Sequence, residues 1–241
     1  MAKFDIYDRA GAALRWVYQR RIHSSPILDE SRNFPGGRRF ADNWEAIRDE
    51  ALAVSRRPRA VPLFHELMPE QEAISAKDGR EWRLFVLKAY GVEMAENLVR
   101  CPATAALLRA SPEVLSASFS FLAPGKHIPE HRGPFRGVLR YHLGLSMPRG
   151  MDGREGAVLW IDGAEHRLSD GDSLLWDDTL PSRGAQHGGP GTYRAGARRV
   201  AKRDARRHEA AFRLHRPHGT GGDTPARNRA ATVAAGRSGR A

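Results

Sequence analysis

A single cysteine, Cys101, stands in 241 residues, which excludes an intrachain disulfide and fits a reducing compartment. No apolar run reaches transmembrane length and no signal-peptide core is present, so the chain is expected to be soluble and cytoplasmic. Acidic residues are scarce in one place. From Ser182 onward there are 14 Lys/Arg against 3 Asp/Glu, whereas residues 1–181 carry 25 of each and are neutral. The net charge of +11 therefore describes a tail, not a basic binding domain. That tail also lacks core-forming side chains. Its 60 residues hold ten Gly, and Val200, Phe212, Leu214 and Val233 are its larger aliphatics and Phe. So few anchors cannot offset the entropy of ordering, and the tail is expected to be disordered. Its basic residues give salt-dependent phosphate affinity. Tyr193 and Phe212 are not regularly interleaved with them, so no base-stacking platform and no nucleic-acid partner are expected.

The rest of the chain is long enough for one domain with a sizeable core. Residues 1–40 are expected to hold a helix over 4–22, with Ala10, Leu14, Val17 and Tyr18 on one side, and then a Pro/Gly-rich loop from Ser24 to Arg39. Asp42 and Asn43 can cap a helix running to about Val54 that buries Trp44, Ile47, Ala51 and Val54. A strand is expected over Trp82–Ala89. A helix opens at Cys101-Pro102 and runs through Leu108, with proline in its first turn. Short strands follow at Val114–Leu122, Gly137–Ser146, Ala157–Ile161 and Ser173–Trp176, separated by Gly150, Asp152-Gly153, Asp162-Gly163 and Asp170-Gly171. Short strands after a helical half predict a mostly β jelly roll or sandwich over residues 41–181, with flanking helices outside it. Residues 182–241 form the basic tail.

The chemistry concentrates between Phe119 and Leu145. His131 is expected on a Gly-Pro turn (Gly133, Pro134), and a neutral imidazole there suits Fe(II). The residue two after it is Gly133, where the usual non-haem iron triad has a carboxylate. Arg140 and His142, two apart, point to one face of a strand. An inward arginine needs a partner, and a guanidinium matches a carboxylate in bidentate geometry. A dicarboxylate cosubstrate supplies one such partner, helped by the hydroxyl of Ser120. A structural Arg–Asp pair with a core histidine is the other reading that spacing allows.

The run H-R-G-P-F-R-G-V-L-R-Y-H-L-G-L, followed by W-D-D-T, resembles the aspartyl/asparaginyl β-hydroxylase family over roughly Arg83 to Pro181. These are Fe(II)- and 2-oxoglutarate-dependent dioxygenases on a double-stranded β-helix (cupin-like) fold. The resemblance implies His131 as the first iron ligand, and Ser120, Arg140 and His142 as the 2-oxoglutarate pocket. It also implies two histidines without a carboxylate on the metal, which accounts for Gly133. Iron, 2-oxoglutarate and O2 would carry the chemistry. The implied reaction hydroxylates a C–H bond of a peptide Asp/Asn or of a related small or acyl substrate.

The resemblance breaks after Asp177-Asp178-Thr179-Leu180-Pro181. The family's second histidine belongs at position 182, and this chain has Ser182. His187 is a weak substitute, and the strand that would carry the ligand is expected to be missing, leaving the C-terminal side of the barrel incomplete. Reading the codons from Ser182 onward from their second base permits His-Glu-Val-Leu-Asn-Thr-Glu-Asp-Arg-Glu-Arg-Ile-Ala-Leu-Val-Leu-Ala-Val. That reading restores a histidine in place, an arginine ten residues on, and an apolar strand. A catalytically impaired, frame-shifted copy is thus the alternative to an active hydroxylase.

Overall fold

The computed structural model describes residues 25–133, 138–150, 153–187 and, as backbone, 192–200. The expected helix over residues 4–22 lies outside them. The expected loop from Ser24 to Arg39 instead contains two short helices, α1 (Glu30–Asn33) and most of α2 (Gly37–Ala41). Asp29 starts the first by accepting a hydrogen bond from the Arg32 amide at 3.2 Å, a side-chain cap that overrides the local Pro/Gly signal. Helix α3 (Trp44–Ser55) buries Ile47, Ala51 and Val54 as its periodicity predicts. Asn43 does not cap it; its amide bonds the Arg39 carbonyl at 2.9 Å. Short helices α4 (Phe64–Leu67), α5 (Glu72–Ser75) and α6 (Ala95–Val99) follow, and α7 (Pro102–Arg109) carries proline in its first turn.

The described residues form, in chain order, the strands β1 (Trp82–Ala89), β2 (Val92–Glu93), β3 (Val114–Leu122), β4 (His127–His131), β5 (Val138–Ser146), β6 (Ala157–Ile161), β7 (Ala164–Arg167), β8 (Ser173–Trp176), β9 (Ser182–Gln186) and β10 (Thr192–Val200). They form an antiparallel six-stranded sheet, β2-β1-β3-β10-β5-β8, and a four-stranded sheet, β4-β9-β6-β7. This is the mostly β jelly-roll class that the strand spacing predicts.

Alternation decides where the core lies. Val114, Ala117, Phe119 and Phe121 on β3, and Leu139, Tyr141, Leu143 and Leu145 on β5, pack with Ile47, Ala51, Val54, Ala105 and Leu108 of α3 and α7. The intervening residues of β3 and β5 are Ser116, Ser118, Ser120, Arg140, His142 and Gly144. They take the opposite face of the sheet, toward the four-stranded sheet. The helices therefore seal one face of the large sheet with apolar side chains and leave a polar face for chemistry.

The expectation of a patternless tail from Ser182 needs correction. Ser182–Gln186 is a strand paired on both sides, with β4 and with β6. Ser182, Ala185 and Gln186 are buried. Gln186 holds the turn before β4, its side-chain oxygen accepting from the Gly125 amide at 2.9 Å and its own amide reaching the Lys126 carbonyl at 2.9 Å. The backbone of 192–200 fills the slot between β3 and β5, so the expected gap at the C-terminal strand is occupied. The physical reason is the main chain. A slot between two strands offers hydrogen-bonding groups on both sides, and any non-proline backbone can meet them.

Candidate active site

Strands of both sheets and the segment around α4 and α5 enclose a cavity of about 560 Å³, within the usual range of small-molecule sites. Ser120, His131, Arg140, His142, Trp176 and Ser182 all line it. Four of these are the residues singled out from sequence, and Ser182 is the position where a second histidine is missing. His187 is not among the lining residues. It is exposed at the far end of β9, five residues from Ser182 or about 16 Å along an extended strand, with its amide on the Gly156 carbonyl at 2.6 Å.

His131 ends β4 and is not itself in the turn. Its Nδ1 lies 3.0 Å from the Pro129 carbonyl, which favours a proton on Nδ1 and makes Nε2 the basic nitrogen of the ring. In the β4–β9 ladder His131 is the register partner of Ser182, and the Ser182 hydroxyl sits 3.5 Å from the His131 carbonyl oxygen. The position at which the family resemblance expects a second histidine therefore stands directly across from His131. Here it is a buried serine.

Arg140 donates from Nε and a terminal nitrogen to one carboxylate oxygen of Asp178, at 3.1 and 2.7 Å. Asp178 is almost wholly buried and Arg140 is about a quarter exposed. The structural Arg–Asp pair, one of the two readings left open by spacing, is thus realised. The same carboxylate explains Gly133: a Cβ there would lie 2.5 Å from it. His142 is buried with its ring against the Trp176 edge, centroids 5.8 Å apart. The Arg140 guanidinium lies over the Trp176 ring at 5.7 Å. Trp176 Nε1 is buried without a hydrogen-bond partner among the described residues, a donor that a bound oxygen-rich ligand would satisfy. The Ser120 hydroxyl accepts from Trp82 Nε1 at 2.9 Å and keeps its own proton to offer.

Iron fits this donor set poorly. Around His131 the residues offer one imidazole, one serine hydroxyl and a carboxylate already committed to Arg140. No group of three His, Cys, Asp or Glu able to hold a metal occurs among the described residues. A neutral hydroxyl is a weak ligand for a divalent iron.

This jelly roll gathers histidine and arginine side chains on the polar inner face of one cavity. The Aspartyl/Asparaginyl beta-hydroxylase family matches residues 41–184, and the chain belongs to that family. It is 33% identical over 167 residues to the ornithine lipid ester-linked acyl 2-hydroxylase of Rhizobium tropici, covering 69% of this chain and 57% of that one. It is 32% identical over 143 residues to the human aspartyl/asparaginyl beta-hydroxylase, covering 57% of this chain and 17% of that one. The chain thus spans less than two thirds of either relative. A Pseudomonas putida prolyl-4-hydroxylase is a similar solved structure, with TM-score 0.40, 17% identity and coverage of 73% and 90%. No described helix is long and apolar enough to cross a membrane.

Proposed function

We propose that the cavity is the cosubstrate and substrate chamber of an Fe(II)- and 2-oxoglutarate-dependent hydroxylase, and that the iron centre of this chain is half built. One observation carries both parts: Ser182 faces His131 across the β4–β9 ladder inside the cavity that also holds Arg140 and His142. The two family relatives are named for an acyl chain and for aspartyl/asparaginyl residues, and a C–H bond of either kind is the target on this reading.

The chain's own residues have definite tasks. Arg140 would exchange Asp178 for a carboxylate of 2-oxoglutarate, since a guanidinium donates to either in the same geometry. Trp176 Nε1 offers a hydrogen-bond donor beside it, and Ser120 offers one farther along the cavity, level with Gly144. The apolar walls exclude water. Iron, when bound, would activate oxygen; with His131 alone to hold it, affinity is expected to be low and turnover near background.

The second reading frame supports this account. Its apolar run, Ile-Ala-Leu-Val-Leu-Ala-Val, falls on positions 193–199, inside the slot that β10 (192–200) occupies. Its histidine falls on position 182.

Ser182→His tests the proposal with a readout that does not need activity. Because β9 is already paired on both sides, the supporting strand is in place. The variant should bind Co(II), followed by its absorption spectrum, at least tenfold more tightly than the unaltered chain. It should also gain Fe(II)-dependent consumption of 2-oxoglutarate. Equal and tight metal binding by the two proteins would mean that another ligand completes the site and that Ser182 is not the vacancy.

A further inference from the structure

Two arginines reach the turn at Asp178-Thr179, and only one of them has a task so far. Arg140, on β5, holds the Asp178 carboxylate at 3.1 and 2.7 Å. Arg132 comes from the segment that follows β4. Both arginines line the cavity, and Asp178 is not among the lining residues. One terminal nitrogen of Arg132 lies 3.4 Å from the Thr179 carbonyl oxygen, a long and weak contact. The guanidinium makes no other hydrogen bond or ion pair among the described residues, and the side chain is exposed. Most of its N–H donors are left for something else.

Gly133 sets the reach. A Cβ there would fall 2.5 Å from the Asp178 carboxyl carbon. With consecutive Cα atoms about 3.8 Å apart, the Arg132 Cα stands within about 8 Å of that carboxyl group, a gap that an extended arginine side chain spans. The main chain of the turn is held on both sides. The Asp177 carboxylate accepts from the Thr179 amide at 3.0 Å and from the Thr179 hydroxyl at 2.6 Å. The Asp178 carbonyl accepts from the Gly133 amide at 2.5 Å. What can still change is the side-chain rotamer of Asp178. The exchange at Arg140 demands such a change. When a carboxylate of 2-oxoglutarate takes the Arg140 donors, Asp178 gives up two charge-assisted bonds while its side chain is 4% exposed. Whatever else Asp178 touches, a buried carboxylate that loses its arginine costs less if a second cation takes it up.

We infer that Arg132 is a positioning residue for the cosubstrate: it receives the Asp178 carboxylate as 2-oxoglutarate claims Arg140. This rests on the reading of the cavity as a 2-oxoglutarate chamber. Arg132 does not touch the diacid. It lowers the cost of clearing Arg140, so its contribution exists only while residue 178 carries a charge.

That condition gives the test. 2-Oxoglutarate is titrated calorimetrically into the unaltered chain, Arg132→Gln, Asp178→Asn and the double variant. Arg132→Gln should weaken binding by about fivefold or more when residue 178 is Asp, and by less than about twofold when it is Asn. Arg132→Lys should keep most of the affinity. The Arg132 variants should melt with the unaltered protein, since the side chain is exposed and makes one long contact. A crystal structure of the 2-oxoglutarate complex, which needs no change at Asp178, should show the Asp178 carboxylate within hydrogen-bond distance of Arg132. An equal loss in both backgrounds would mean that Arg132 attracts the diacid directly. That result, no loss in either background, or a complex with Asp178 still on Arg140 alone would each overturn the inference and leave the 2-oxoglutarate reading in place. Failure of all four proteins to bind 2-oxoglutarate would bring down that reading and this inference together.

Discussion

Strands β5 and β10 lie side by side in one sheet, joined by hydrogen bonds along most of their length, and they come from opposite kinds of sequence. β5, V-L-R-Y-H-L-G-L-S, alternates strictly: Leu139, Tyr141, Leu143 and Leu145 are buried in the helix-covered core, and Arg140 and His142 line the cavity. β10, T-Y-R-A-G-A-R-R-V, has no such period and carries three arginines and a glycine. The comparison separates two kinds of information. A vacant place between two strands is enough to define a backbone path. Which side chains reach the core and which reach the cavity is written in the residues, and after Pro181 that writing is lost.

The largest effect that would sharpen this contrast is on β5. Leu143 is 1% exposed within the core, and Leu143→Ala should cost about 2–5 kcal/mol in chemical denaturation. A cost below about 1 kcal/mol would place β5 on the same footing as its neighbour and undo the comparison. Next is Asp178→Asn, which takes the partner from Arg140. Since Arg140 is 23% exposed on its side chain, water recovers part of the loss, and a destabilisation of about 1–3 kcal/mol is expected. The same variant should bind 2-oxoglutarate more tightly by calorimetry, because the anchor no longer has an internal competitor. Unchanged affinity would remove Arg140 from the cosubstrate pocket.

The smallest effect concerns acid and the turn that β9 leans on. Burial pushes the Asp78 carboxyl up, but hydrogen bonds from the Lys126 ammonium and the His127 and Arg80 amides outweigh it and hold Asp78 below its usual 3.8. A depressed carboxylate contributes stability above its unfolded value and loses it as pH falls through the folded one. Amides of the turn at Gly125–His127 should therefore lose exchange protection below about pH 4 while those of β5 keep theirs. Asp78→Asn should abolish that pH dependence.

Much of this was legible. The strands at 114–122, 157–161 and 173–176 fall where alternation and turn residues put them. β4 was not legible because Pro129 interrupts H-I-P-E-H, and an edge strand tolerates a proline that a pattern search rejects. β9 and β10 have no side-chain pattern to read. In the cavity, spacing pointed to His131, Arg140 and His142 as candidates, the family resemblance gave them roles, and the resemblance alone marked the missing histidine at Ser182. Spacing could not choose Asp178 as the partner of Arg140, because the two are 38 residues apart and meet through strand order. Lys88, which also lines the cavity, was not picked out from sequence, though W-R-L-F-V-L-K-A puts it in phase with Trp82, Leu84 and Val86.

The position of β10 in the sheet has a consequence for how the protein is made. Its neighbours β3 and β5 are synthesised long before it, yet they bond to it rather than to each other. A nascent chain therefore carries two open strand edges in the middle of its main sheet until residues 192–200 leave the ribosome. Such non-local closure is slow and leaves sticky edges exposed while it waits. Any change to residues 192–200 thus acts first on the yield of folded protein, through the race between closure and aggregation, before it acts on anything the cavity does.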